Sequence, residues 1–221
     1  MMTIIYIGTG SYMTMFETFY DSVCRIDGEK NLVLITDCTE KIESRPECPI
    51  ISQRYINHLP WPLITLLKFH YIESVLDVCG DTVLYANGNF IFNEFPKFED
   101  NDKLNLSYMD TEKYKECSTW PSVNEYNDKM RHVLGGFFYA KKERMRDVCN
   151  DIIWNINSDL YFHRIDAIHD ESALNRHFSR FPDKCDLKEV HNYGYFSTKL
   201  YTSGQPVKTH ISPKIKTIEI V

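Results

Sequence analysis

The chain has 221 residues, of which 43% are hydrophobic and 14% aromatic, and its formal net charge is −6. This length accommodates one domain with a substantial core. The acidic balance argues against a general nucleic-acid binder, which needs a basic surface. No apolar run is long enough to predict a membrane span, and the apolar start lacks the features of a signal peptide. The seven cysteines show no CxxC spacing. We therefore expect a cytoplasmic protein with neither a disulfide framework nor a zinc site.

The predicted elements of the first half alternate between strands and helices. Apolar residues recur at helical spacing over 16–23 and again over 64–78, where Trp61-Pro62 opens the segment. Short apolar runs that are typical of buried strands occupy residues 3–7, 32–35 and 82–86. A further short run at 90–92 follows Asn87-Gly88-Asn89.

The second half is less regular. Residues 94–130 are polar and poorly periodic, so they predict irregular structure. A short strand is expected at 137–140, after Gly135-Gly136, and a helical stripe covers 145–156. Asp170 can cap a last helix that runs through Phe178.

This order of elements predicts an α/β fold with a mixed central sheet flanked by helices, Rossmann-like in its N-terminal half and parallel at its centre. Ligands of such sheets bind at the carboxyl ends of the strands. Two candidate ligand loops follow strands in this way, Gly8-Thr9-Gly10 and Asn87-Gly88-Asn89.

Each loop has a plain structural alternative. The backbone N–H groups of Gly8-Thr9-Gly10 could face a nucleotide, but Met13 leaves the GxGxxG signature incomplete, and an ordinary strand–helix turn fits as well. Asn87-Gly88-Asn89 is a strong signal for a β-hairpin turn. It could instead present amides to a diphosphate. Amides are poor ligands for Mn²⁺ or Mg²⁺, which prefer carboxylates.

A third candidate is the segment His169-Asp170-Glu171-Ser172, which groups an imidazole, two carboxylates and a hydroxyl. Its structural interpretation is a helix start with Asp170 as the N-cap. Its functional interpretation uses Glu171 to meet a developing oxocarbenium centre. The eight histidines are dispersed without HExxH spacing, so no metal site is expected.

The order of these motifs resembles glycosyltransferase family 6, which contains the blood-group A and B transferases and the α1,3-galactosyltransferase. The resemblance covers about residues 3–180 with a gap in the middle, and its most specific part is HDES followed by Leu174-Asn175, after Gly135-Gly136-Phe137-Phe138. It implies a GT-A fold and transfer of Gal or GalNAc from a UDP donor to a galactoside-type acceptor, with retention and an α1,3 linkage. Family members with Asn-X-Asn in place of Asp-X-Asp work without metal, so we expect no cofactor.

The resemblance also assigns site residues. Tyr12 matches a tyrosine that stacks on uracil, and Asn87 and Asn89 match positions that face the ribose and diphosphate. Glu171 matches the glutamate beneath the anomeric carbon, either as nucleophile or as stabiliser of an ion pair. The complete set of donor-binding positions is Ile7, Thr9, Tyr12, Lys68, Asn87, Asn89, Leu134, Gly135, Gly136, His169 and Asp170.

The same resemblance also implies the choice of donor sugar and the source of positive charge near the diphosphate. Leu134 and Gly136 match the pair that selects the donor sugar, and a glycine at the second position leaves room for an acetamido group, which favours UDP-GalNAc over UDP-Gal. Lys68 matches a family arginine near the donor, an exchange that loses bidentate phosphate geometry. Without a metal, cationic side chains must stabilise the leaving diphosphate. Candidates in the basic tail are Lys208, Lys214 and Lys216.

The acceptor half departs from the family. The HPGFYG motif has no match in 104–125, and the tryptophan that stacks on the acceptor is Ile168 here. We expect an oligosaccharide or glycolipid acceptor and a bacterial or phage-type form without a membrane span. The alternative is a UDP-sugar or glycan-binding module that is weak or inactive as a catalyst. The single domain would comprise a donor-binding half at about 1–92, an acceptor and catalytic half at about 93–205, and the tail at about 206–221.

Overall fold

The computed structural model describes residues 1–98, 101–109, 132–166 and 169–197. Nine strands are found in this part of the chain: β1 (Met2–Gly8), β2 (Lys30–Thr36), β3 (Ile50–Tyr55), β4 (Thr82–Ala86), β5 (Phe90–Phe92), β6 (Leu104–Met109), β7 (His132–Lys141), β8 (Cys185–Lys188) and β9 (Gly194–Phe196). Seven of them form one sheet in the order β3-β2-β1-β4-β7-β6-β8, and β5 pairs with β9 in a small second sheet.

Five α-helices are found in the same described residues: α1 (Phe16–Cys24), α2 (Leu63–Leu66), α3 (Lys68–Glu73), α4 (Lys142–Tyr161) and α5 (His169–Arg180). Alternate residues of the central strands point to opposite faces of the sheet. Ile5 belongs to the core on one face, together with residues of α2, α3, α4 and α5. Ile4 and Tyr6 belong to the core on the other face, together with α1 and β5. The large sheet therefore lies between two apolar layers.

The predicted α/β class is confirmed as a mostly parallel sheet flanked by helices and compatible with a Rossmann-like arrangement. β1, β2, β3 and β4 are mutually parallel, whereas β7 runs antiparallel to β4 and to β6. The strand predicted at 82–86 matches β4 residue for residue. Among the described helices, none combines the length and apolar character that crossing a bilayer requires.

Three sequence predictions need correction. The single helix expected over 64–78 is divided into α2, α3 and a short 3-10 helix at Leu76–Val78, because Leu67 has a non-helical ψ of 5°. The polar segment 94–130 contains β6, which was not expected. The strand expected at 137–140 begins earlier, at His132, because β6 pairs along it.

Candidate functional site

The candidate site is at the edge of the large sheet where β1, β2 and β4 end. Parallel strands bring their carboxyl ends to one edge, and the antiparallel β7 brings its first residues to that same edge, with Ala86 opposite Phe137. The loop after β4 therefore meets the start of β7. The backbone N–H of Asn87 donates to the carbonyl of Gly136 at 2.8 Å.

Asn87-Gly88-Asn89 is a tight turn but not a hairpin. The N–H of Phe90 donates to the carbonyl of Asn87 at 2.8 Å, which closes the turn. The strands on its two sides, β4 and β5, belong to different sheets. The hairpin interpretation is therefore wrong, because the chain leaves the large sheet at this turn instead of folding back along β4.

The two asparagine side chains have different surroundings. The Oδ1 of Asn87 accepts a hydrogen bond from the Tyr85 hydroxyl at 2.9 Å, which leaves the amide nitrogen on the side of Gly136. Asn89 is buried, and its Oδ1 has no hydrogen-bond partner among the described residues. A buried acceptor without a partner is costly, so this oxygen is suited to accept a hydrogen bond from a ligand hydroxyl.

Glu171 is held at both carboxylate oxygens. Its Oε1 is 2.7 Å from Nε2 of His132, and its Oε2 accepts a hydrogen bond from the N–H of Gly135 at 2.7 Å. The side chain is 17% exposed. Each carboxylate oxygen can accept more than one hydrogen bond, so Glu171 is fixed in place while it can still interact with a ligand.

Lys68 and Asp170 form a buried ion pair beneath this carboxylate. The ammonium of Lys68 also donates to the carbonyl of Gly135 at 2.8 Å and lies 4.9 Å from the centre of the Tyr85 ring. Burial by itself lowers the pKa of Lys68, but the Asp170 carboxylate, together with Tyr85 and Glu171, outweighs it, so the pKa is raised above its ordinary value. Lys68 is therefore charged at neutral pH, and its charge is compensated by Asp170.

The start of α5 differs from the sequence interpretation. The helix begins at His169, which has a φ of 46°, so Asp170 lies in the first turn and is not the N-cap. Its carboxylate is directed to Lys68 instead. Asn175, one turn after Glu171, joins the helix to β7, because its amide donates to the carbonyl of Val133 and accepts from the N–H of Val133. These contacts fix Glu171 relative to Gly135.

The loop Gly8-Thr9-Gly10 leads from β1 into a 3-10 helix at Gly10–Met15. The N–H of Gly10 is occupied, because it donates to the Asp37 carboxylate at 2.9 Å. The side chain of Thr9 is buried, and its hydroxyl lies 3.2 Å from Nδ1 of His58. The loop is thus tied to the end of β2, and its backbone is less open than a free nucleotide loop would be.

Tyr6 connects this loop to the turn after β4. Its hydroxyl donates to the carbonyl of Tyr12 at 2.6 Å, and a Cβ added to Gly88 would lie 2.8 Å from the same hydroxyl oxygen. Burial, followed by the nearby Tyr85, raises the pKa of Tyr6, which keeps the hydroxyl protonated as a donor. Tyr12, itself half-buried, is therefore linked to Asn87-Gly88-Asn89 through one side chain.

Five of the eleven predicted donor residues are joined by direct contacts, and others lie at the margins. Ile7 is half-buried and packs against the core, Leu134 is half-buried in β7, and His169 is buried beside the ring of Trp61. A contiguous set of contacts joins Lys68, Asn87, Gly135, Gly136, Asp170 and Glu171. Four predicted positions lie outside the described residues, namely Ile168, Lys208, Lys214 and Lys216.

Sequence reasoning missed His132, because the strand was expected to begin only at 137. Simple alternation would not have found it, since the pairing register of β7 with β6 shifts between Phe138 and Val133. His58 and Asp37 were also missed, because their contacts with Thr9 and Gly10 join three separate segments.

Within the described residues, no three His, Cys, Asp or Glu side chains are grouped as a metal site would need. No protein-family model matches the chain. The search of curated proteins likewise gave no match. Function is therefore inferred from the geometry of the residues at the carboxyl edge of the sheet.

Proposed function

We propose that the chain is a retaining glycosyltransferase of the GT-A type that uses a UDP donor and needs no metal. It transfers GalNAc, or Gal, to a galactoside-type glycan and forms an α1,3 linkage. The observation that carries the proposal is the chain of direct contacts from Asn87 through Gly136 and Gly135 to Glu171. In this arrangement, amides that suit a sugar nucleotide lie next to a fixed carboxylate.

The donor is oriented along this edge. The uracil stacks on Tyr12, the ribose and diphosphate face the turn at Asn87 and Asn89, and the sugar lies against Gly136. The buried and unpartnered Oδ1 of Asn89 supports this orientation, because a hydroxyl of the donor can satisfy it. Gly136 matches the position whose glycine favours UDP-GalNAc, and a Cβ there would lie 3.0 Å from both Nδ2 of Asn87 and the ring of Phe196, so no side chain fits at this position without displacing them.

Glu171 stabilises positive charge at the anomeric carbon as its bond to the diphosphate oxygen breaks. Retention follows in either of two ways. Glu171 forms a covalent bond to that carbon, which the acceptor hydroxyl then displaces, or the acceptor attacks the ion pair on the face that UDP leaves. In both routes UDP leaves with the electron pair of the broken bond, the acceptor hydroxyl gives its proton to the leaving diphosphate, and the glycosidic bond forms. Two inversions in the first route, or attack on the face that UDP leaves in the second, give retention.

The diphosphate needs positive charge that Lys68 does not freely provide, since Asp170 already compensates it. Backbone N–H groups and amides supply part of the stabilisation. We assign the remaining positive charge to Lys208, Lys214 and Lys216 in the tail. Lys68 acts indirectly, because its bond to the Gly135 carbonyl fixes the residue that holds Glu171.

The test is UDP release from UDP-GalNAc and UDP-Gal, with a panel of β-galactosides and with EDTA present throughout. Turnover should persist in EDTA, and complete loss on chelation would refute metal independence. Glu171→Gln should lower turnover by roughly a hundredfold or more while UDP still binds. Intact turnover in that variant would remove Glu171 from its role. UDP binding without transfer to any acceptor would support the binding-module alternative.

A further inference from the structure

Trp61 is a large aromatic side chain that is left half in solvent beside the candidate site. It is 51% exposed, and its ring meets that of His169 edge to face, with centroids 4.6 Å apart and planes at 86°. His169 is buried and directly precedes Asp170 and Glu171 in α5. One part of the indole therefore packs on the first turn of α5, while the remainder is open to solvent.

The backbone around Trp61 is held on both sides. The carbonyl of Pro60 accepts from the N–H of Leu63 at 2.9 Å, and that of Pro62 accepts from the N–H of Leu66 at 3.0 Å. The hydroxyl of Thr65 also donates to the Pro62 carbonyl at 2.8 Å. A ring that is already held in position loses little freedom when a ligand binds. Trp61 thus differs from an aromatic residue on a loose loop.

An indole offers a wide apolar face with negative potential, to which the weakly positive C–H groups of a pyranose ring are attracted. Galactose presents several such C–H groups on one face of its ring. We propose that Trp61 is the stacking surface for the terminal sugar of the acceptor glycan. The identity of this ligand rests on the proposed glycosyltransferase function, whereas the exposed stacking surface does not.

The position of Trp61 favours the acceptor over the donor. The groups proposed to hold the donor sugar, His169, Asp170 and Gly136, are buried, whereas about half of Trp61, which packs on His169, is exposed. A nucleobase would lie toward Tyr12, near the end of β1. The segment that precedes α2 contacts this region through His58, which lies beside Thr9, and not through Trp61. The indole instead contacts His169, which lies two residues before Glu171 at the start of α5. The acceptor must reach this carboxylate from solvent, and a half-exposed ring suits that approach.

Trp154 provides a matched control within the chain. It is also exposed, at 67%, but it lies in α4 on the side away from the residues that pack into the core. A general affinity of exposed tryptophans for sugars would act at both positions. A specific acceptor surface would act at Trp61 alone.

The experiment is a ¹⁹F NMR titration of the full chain labelled with 5-fluorotryptophan. Its three tryptophans are Trp61, Trp120 and Trp154, and single Trp→Phe variants assign the signals. Methyl β-D-galactopyranoside should move the Trp61 signal and leave the Trp154 signal in place. Trp61→Ala should weaken galactoside binding by about tenfold or more, and Trp154→Ala should not. An unmoved Trp61 signal, equal movement of both signals, or a Trp61 response to uridine alone would overturn the proposal.

A kinetic measurement separates this inference from the proposed function. If the chain transfers sugar, Trp61→Ala should raise the acceptor KM by about tenfold and the donor KM by a smaller factor. An unchanged acceptor KM would refute the stacking role while the transferase stands. If the wild-type chain turns over no UDP-sugar, the transferase proposal fails, and a galactoside-induced shift at Trp61 would still establish a glycan site.

Discussion

The Nε2 atom of His132 lies 2.7 Å from Oε1 of Glu171, at the start of the strand whose Gly135 holds the other carboxylate oxygen. A carboxylate that is held at both oxygens keeps one orientation and does not sample several. In a transferase, this would keep the charge of Glu171 aimed at the anomeric carbon without reorganisation during the reaction. His132 is thus a positioning residue, since its contact is with Glu171.

We expect His132→Phe to lower kcat by about 10- to 100-fold, because a hydrogen bond to a charged group contributes about 1.5–3 kcal/mol. The donor KM should change less, since the contact orients Glu171 and does not bind UDP. His132→Gln, which retains a donor, should restore part of the loss. His191→Phe, at an exposed histidine, is the control. An unchanged kcat in a folded His132→Phe protein would contradict a positioning role.

Gly136 provides a test of donor choice. A Cβ at this position would lie 3.0 Å from Nδ2 of Asn87 and 3.0 Å from the ring of Phe196. Gly136→Ala should therefore displace Asn87 or Phe196, and under the proposed donor orientation it should raise the kcat/KM ratio of UDP-Gal to UDP-GalNAc by about tenfold. The measurement is UDP release with each donor at subsaturating concentration.

The control for this change is the neighbouring glycine. A Cβ at Gly135 would lie 2.9 Å from Oδ2 of Asp170 and 3.3 Å from the backbone of Glu171. Gly135→Ala should lower turnover with both donors and leave their ratio unchanged. A ratio that responds to Gly135→Ala and not to Gly136→Ala would refute the role of Gly136 in donor choice.

The strands that the sequence predicted best are the apolar ones at the centre of the sheet, which are buried on both faces. Residues 3–7 and 82–86 are continuous apolar runs because strands at the centre of a parallel sheet contact apolar layers above and below. β6 escaped prediction because Asn105 and Ser107 interrupt its apolar pattern although both are buried. The hydroxyl of Ser107 donates to the carbonyl of Phe137 at 2.8 Å, and this tertiary contact makes its burial possible.

Most residues of the candidate site could be named from the sequence, but the arrangement that brings them together could not. Asn87 and Gly136 meet only because β7 runs antiparallel to β4, and no local pattern encodes that direction. Lys68 and Asp170 are 102 positions apart in sequence, so their ion pair depends on how α3 and α5 pack on the sheet. The local signal at Asp170 favoured an N-cap, and the tertiary contact with Lys68 overrode it.

Asp166 gives a prediction for pH dependence. It is buried with one oxygen 3.0 Å from Nη2 of Arg176, which also pairs with Asp159, and its other oxygen has no partner among the described residues. Burial, opposed by Arg176, raises the pKa of Asp166 to about 6. Because the folded state holds this proton more tightly than the unfolded state, the contribution of Asp166 to stability rises as the pH falls from about 7 to about 4.

Asp166→Asn removes this contribution. The stability of the variant relative to the wild type should therefore be about 2 kcal/mol less favourable at pH 4.5 than at pH 7. Urea unfolding of both proteins at the two pH values measures this difference. Subtracting the free energy of unfolding of one protein from that of the other cancels the contributions of all other titrating groups. Asp183→Asn, at an exposed carboxylate, should show no such change. A difference that is constant with pH would contradict the raised pKa.

The buried pair of Lys68 and Asp170 gives a prediction for stability. Its side chains are 8% and 9% exposed, so loss of one partner leaves an uncompensated charge in a poorly solvated place. Lys68→Met and Asp170→Asn should each lower the free energy of unfolding by about 3–5 kcal/mol. The double variant should be more stable than the sum of the two losses predicts, with a coupling energy of about 1–3 kcal/mol.

Urea unfolding of the four proteins measures this cycle, and the pair Arg146 and Asp77 is the control. Asp77 is 90% exposed in that pair, so its coupling should be much weaker than that of Lys68 and Asp170 and should decrease in salt. The coupling of Lys68 and Asp170 should change little between low and high salt, since ions cannot reach a buried pair. Additive losses at Lys68 and Asp170 would mean that each contributes through packing alone. In that case the Gly135 carbonyl, and with it the position of Glu171, would be held by the shape of the core and not by the charge of Lys68.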